Sequence, residues 1–78
     1  MTQHQVLIKL MLTDWVDPIK AFKEAGTLKL SVRANELKED FSIHVRRKTG
    51  KNRFGNNVYW HEYKIVKPSK KALAKYGL

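Results

Sequence analysis

The stretch Gly26-Thr27-Leu28-Lys29-Leu30-Ser31-Val32-Arg33-Ala34-Asn35-Glu36-Leu37-Lys38-Glu39-Asp40-Phe41-Ser42-Ile43 decides the fold. It opens on a glycine, carries a helical pattern and passes into strand alternation. Leu30, Ala34 and Leu37 recur at i, i+4 and i+7, so they share one face of a helix. The opposite face carries Thr27, Lys29, Ser31, Val32 and Asn35, which are small, polar or basic groups. The first face predicts attachment to a core; the second predicts a surface offered to a duplex. The helix is expected over 27–39. Glu39 and Asp40 at its C-terminus oppose the macrodipole, so it stops because a strand begins. In that strand Phe41, Ile43 and Val45 alternate with Ser42, His44 and Arg46, the pattern of one buried face.

Upstream, Asp17-Pro18 is a helix start: a capping carboxylate, then proline at the first helical position. Ile19, Phe22 and Ala21/Ala25 are expected on the buried side of that short helix. Gly26 would stop it in a left-handed conformation. With only Gly26 between the two helices, the connection reads as a helix-turn-helix. Thr2 to Leu12 predicts a first helix capped by Thr2, with Leu7, Leu10 and Met11 on one face and Val6 beside them. A buried strand is the alternative, because the apolar run is nearly continuous. Trp15 and Val16 fit a very short strand or an anchor.

Downstream, residues 46–57 are rich in cations and turn formers, and Val58 to Ile65 alternates again. Tyr59, His61, Tyr63 and Ile65 fall on one side; Val58, Trp60, Glu62 and Lys64 fall on the other. Together these predict a hairpin with a long tip. A lone hairpin is unstable in water, so its Phe41/Ile43/Val45 and Tyr63/Ile65 face must pack on the helices. The fold class expected is α+β: a winged helix-turn-helix of three helices and a two-stranded wing. Residues 1–66 would form the domain, and 67–78 a basic tail or short C-terminal helix capped by Ser69.

The chain has 78 residues, no cysteine, a formal charge of +9 and a sequence pI near 10.1. That length holds one modest core. Without cysteine there are no disulfides or thiolate metal sites. The apolar run Val6 to Leu12, broken by Lys9, is too short to span a bilayer and lacks signal-peptide flanks. The expectation is a cytoplasmic protein with no membrane association. The charge is unevenly spread. Residues 1–45 hold six Lys/Arg and six Asp/Glu, whereas residues 46–78 hold ten Lys/Arg and one acid, Glu62. A neutral half joined to a strongly basic half points to a polyanionic partner.

In order and spacing the motifs resemble a family of small, largely uncharacterised winged helix-turn-helix domains of phages and prophages. The resemblance rests on Asp17-Pro18-Ile19-Lys20-Ala21, Gly26, the run Lys29 to Lys38, Phe41-Ser42-Ile43 and Tyr63-Lys64-Ile65, and it covers nearly residues 3–65. Lys29 and Lys38 stand where the family pattern has arginine; Ala34 replaces a larger apolar residue, and Asp40 a terminal glycine. Lysine keeps the charge without the bidentate fork. The resemblance implies the fold and DNA binding in a bacterial host cell, as a transcriptional regulator or an excision or replication accessory. Its alternative is a phage-encoded protein that binds and modulates a host protein.

The residue chemistry can be weighed separately. On the predicted recognition helix, Asn35 suits an adenine edge, Lys29 guanine or phosphate, and Thr27 or Val32 a thymine methyl, with Ser31 as an adaptable donor. The same face would also serve as a plain solvated surface. Arg33 lies beside the apolar stripe and is expected to pair with Asp40 or with an acid on another helix. On the wing, Arg46, Arg47, Lys48, Lys51 and Arg53 suit phosphate or minor-groove contact. Lys67, Lys70, Lys71 and Lys75 would add contacts from the tail. With about six phosphates neutralised, log K would fall with log salt at a slope of roughly −5. Phe54 and Trp60 are candidate protein contacts. Phe54 would insert, stack or fold back on the domain; Trp60 needs a cover from the tail, a second copy of the chain or another protein. His4, His44 and His61 lie on different elements and form no metal pattern; His61 is expected as a hydrogen-bonded core residue. No nucleophile or phosphate-loop motif is present, so neither an enzyme nor a cofactor is expected.

Overall fold

A computed structural model describes residues 1–78. The first helix, α1 (Gln3–Thr13), starts at a complete capping box. The Thr2 hydroxyl accepts the Gln5 N–H at 3.1 Å, and the Gln5 carboxamide accepts the Thr2 N–H at 2.8 Å. Reciprocal satisfaction of two orphan donors favours helix over strand for this apolar run. Leu7, Ile8 and Met11 are fully buried, while Leu10 is only partly so. The buried stripe therefore includes Ile8 and is centred away from Leu10.

Val16 forms a one-residue bridge with Tyr63, its N–H donating to the Tyr63 carbonyl at 2.8 Å and its carbonyl accepting at 3.0 Å. This anchors the chain before α2, which comprises Pro18–Lys20 and its continuation Ala21–Ala25. Asp17 caps α2 by accepting the Lys20 N–H at 2.7 Å, with Pro18 at the first position. After one α-helical turn (Pro18–Lys20) the helix widens into a π-helical stretch, Ala21–Ala25, and ends at Gly26 with φ 71°. The expected burial of Ile19 and Phe22 is not realised: they are 67% and 52% exposed. Only Ala21 is fully buried. The π-helical widening changes which residues share a face, and small Ala21 allows close approach to the core.

The connection to the next helix is longer than one glycine. Gly26 to Lys29 are non-helical, and α3 runs Leu30–Leu37 rather than 27–39. Leu30, Ala34 and Leu37 are buried as the spacing predicts. The chain then turns through Lys38–Asp40 into β1 (Ser42–Lys51), which pairs antiparallel with β2 (Asn57–Val66) from Ser42↔Val66 to Lys51↔Asn57. The predicted long tip is therefore mostly strand; the loop is only residues 52–56. Tyr63, Ile65 and Phe41 enter the core, but Val45 is 43% exposed because the hairpin leaves the body at that level. The molecule measures 46 × 22 × 19 Å.

At the other end, Lys67 with φ 49° turns the chain into α4 (Lys70–Lys75). Ser69 accepts the Ala72 N–H at 3.1 Å. Ala72 is buried, and Gln5 of α1 donates to the Tyr76 carbonyl at 2.7 Å. The segment 67–78 thus includes a helix docked on the body, whose core draws on α1, Val16, α2, α3, β2 and α4. The architecture is α+β, helices followed by a two-stranded antiparallel hairpin, a layout compatible with a winged helix. No helix is long and apolar enough to cross a membrane.

Candidate nucleic-acid interface

Of the five residues expected to face a groove from α3, four are exposed: Lys29, Ser31, Val32 and Asn35. Thr27 is not; it is 4% exposed. It precedes the helix, and its hydroxyl accepts the Lys29 N–H at 3.0 Å, so it shapes the entry to α3 from inside. Arg33 does not reach Asp40. It donates to Glu36 at 2.9 Å on the same helix and to Gln3 of α1 at 3.1 Å. It fixes α3 against α1, and its hydrogen bond holds the Glu36 carboxyl below the usual carboxylate range. Asp40 receives Lys75 at 2.9 Å and the Tyr76 hydroxyl at 2.7 Å instead. Those two donors hold its carboxyl low as well. Burial, with the hydrogen bond to Asp40, pushes the Tyr76 hydroxyl up to about 12. These contacts also offset the acidic end of α3 that opposes the helix dipole.

The cations of the hairpin divide by sheet face. On the outer face Arg46 donates to Glu62 at 2.7 Å and lies 4.3 Å from the Trp15 ring centre. Glu62, 8% exposed, also receives the Trp60 indole N–H at 3.2 Å. Burial pushes its pKa up, but the hydrogen bonds from Arg46 and Trp60, with the neighbouring Arg46 and Lys48 charges, outweigh that and leave it lowered. Arg46 is therefore engaged within the fold and is not a free phosphate ligand. Trp60 is partly buried within the chain itself. It lies across Gly50, where an added Cβ would stand 3.3 Å from its ring. The glycine makes room for the tryptophan on the hairpin itself.

On the face toward the helices, Arg47 lies over the Tyr59 ring at 4.2 Å, and Tyr59 meets His61 edge-on at 6.0 Å. His61 is exposed rather than a core residue, because the hairpin has already left the body there. A shallow cleft separates this face from the start of α3, with Tyr59 and His61 on one wall and Leu28 and Ser31 on the other. At the tip, Arg53 lies 4.9 Å from the ring of Phe54, which is 74% exposed and does not fold back.

Among the expected phosphate ligands, Arg46 and Lys75 are held in ion pairs; Arg47, Lys48, Lys51, Arg53, Lys67, Lys70 and Lys71 are exposed and make none. They form two groups. The wing cations flank the tip, whereas the tail cations follow the base of β2, about 30 Å away along the strand. Two features escaped sequence reasoning. Trp15 was expected as a short strand or an anchor, but nothing in the local pattern marks Arg46 as the group its ring meets. Leu28 is 83% exposed in the α2–α3 connection; its position outside the Leu30/Ala34/Leu37 stripe was a readable signal. No family model, no curated protein and no solved structure matches the chain.

Proposed function

We propose that the chain is a DNA-binding protein of the winged helix-turn-helix kind, a phage-type transcriptional regulator or excision or replication accessory. In this reading α3 lies in the major groove and the hairpin on adjacent backbone. One observation carries it: the projecting arm bears Arg47, Lys48, Lys51 and Arg53 without ion-pair partners, and its Tyr59 and His61 share a cleft with Ser31 of α3, a helix whose Val32 and Asn35, with the preceding Lys29, are also exposed. Cations on the arm suit phosphates, and the α3 side chains suit base edges. This reading leaves out Thr27, which is buried, and Arg46, which is paired with Glu62. Fluorescence anisotropy of a labelled duplex, titrated at two salt concentrations, tests the reading. The expected result is tight binding at low salt that weakens steeply as salt rises. No binding at low salt, or salt-independent binding, overturns it.

A second reading has its own support. Ile19, Phe22, Leu28 and Val32 are large apolar side chains left exposed on α2, α3 and their connection. Such groups suit a protein partner, and a winged fold does not dictate DNA binding. Here the chain binds and modulates a host protein. A pull-down from nuclease-treated bacterial lysate discriminates the two: a stoichiometric partner lost on Leu28→Asp supports this reading, and loss of all partners with nuclease favours DNA.

A further inference from the structure

The tip of the hairpin is built to hold an aromatic ring outward. Asn52 organises the loop: its side-chain oxygen accepts the Phe54 N–H at 2.9 Å and the Asn56 N–H at 3.1 Å. Its backbone closes the same turn, accepting the Gly55 N–H at 2.9 Å and donating to Asn56 at 3.0 Å. Gly55 takes φ 80°, a conformation that favours glycine. A loop so tied has little conformational freedom left to lose on binding. It nevertheless leaves Phe54 74% exposed, with the neighbouring Arg53 guanidinium 4.9 Å from its ring centre.

We propose that Phe54 is a wedge that enters a base step of duplex DNA from the minor groove, unstacking and unwinding it. The inference rests on the DNA-binding reading and adds a deformation to it. Three observations favour this occupant. The ring stands at the end of an arm reaching roughly 20 Å beyond Tyr63, its last buried apolar residue. Lys51 and Arg53 beside it carry no acid and suit the phosphates flanking an opened step. The arm's one carboxylate, Glu62, is engaged by Arg46 and Trp60 near the base. Proteins that kink duplexes insert apolar wedges of this size between bases and offset the lost stacking with added backbone contact.

The test combines binding with topology. Closed circular plasmid is relaxed by a topoisomerase in the presence of the full chain, and the linking number is read on a gel after deproteinisation. Anisotropy on a mixed-sequence duplex is measured in parallel. The wild type is expected to bind and lower the linking number. Phe54→Ala is expected to bind about tenfold more weakly and, at matched occupancy, to leave the linking number unchanged. Phe54→Leu, which keeps an apolar wedge, is expected to retain part of the unwinding. Binding without unwinding by the wild type, or equal unwinding by wild type and Phe54→Ala, overturns the wedge while leaving DNA binding intact. Absence of binding by the wild type overturns both.

Discussion

The helical body and the outer half of the hairpin carry opposite proportions of burial and charge. In the body, Leu7, Ile8, Met11, Val16 and Leu37 lose all solvent contact, and the cations of residues 1–45 are balanced by acids. Beyond Val45 and Tyr63 the hairpin has almost no buried apolar surface. It is held by cross-strand hydrogen bonds, by Trp60 lying over Gly50, and by arginines lying on aromatic rings. Burial makes the body stable; local pairing makes the arm merely ordered. The separation leaves Arg47, Lys48, Lys51 and Arg53 exposed and without ion-pair partners, away from the core.

If that division holds, a core substitution should cost most. Leu37→Ala is expected to destabilise by about 3 kcal/mol, a large fraction of the stability of so small a domain. Urea denaturation followed by circular dichroism would show it, and a cost below about 1 kcal/mol would mean the body is not held by this cluster. Neutralising the arm should behave oppositely. Arg47→Gln, Lys48→Gln, Lys51→Gln and Arg53→Gln together are expected to change stability by no more than about 1 kcal/mol. They should weaken duplex binding about a hundredfold at moderate salt and make the salt slope shallower by about 3 to 4. Unchanged anisotropy would remove the arm from the interface.

Glu62→Gln sharpens the boundary between the regions. It removes the charge that Arg46 and Trp60 share, and a cost of about 1 kcal/mol is expected, moderated by the exposure of Arg46. The loss should be read in the unfolding midpoint, with duplex affinity changed little. The smallest expected effect is on pH dependence. Asp40, Glu36 and Glu62 titrate below their ordinary values in the folded state. The unfolded chain then binds more protons at acid pH, so stability rises with pH through this range. The contribution is fully present above the unfolded carboxylate range, about pH 4 to 5, and is lost as pH falls through the folded values. Asp40→Asn should flatten the acid limb of a thermal-denaturation series; an unaltered limb would show that the Lys75 and Tyr76 contacts do not persist in solution.

Much of the body was legible because its signals are local. The capping box at Thr2, the Asp17-Pro18 start, the αL stop at Gly26 and the Leu30/Ala34/Leu37 stripe each depend on residues within two turns of one another. The exposure of Ile19 and Phe22 was not legible, since it follows from the π-helical register and from what α2 packs against. The candidate interface was read less well. The cations were visible, but which were free was not: Arg46 finds Glu62 across the hairpin, and Lys75 finds Asp40 from 35 residues away. The fate of Trp60 depended on a glycine in the facing strand, and the exposure of His61 on where the hairpin leaves the body.

By itself, the sequence determined the order of elements, the alternation of the strands and the division into a neutral and a basic half, because each depends on periodicity or on counting. The tertiary structure decided how far the strands run before the tip, which cations keep free heads and which aromatic rings are covered. Those outcomes depend on cross-strand register and on packing between distant segments, which no local pattern encodes.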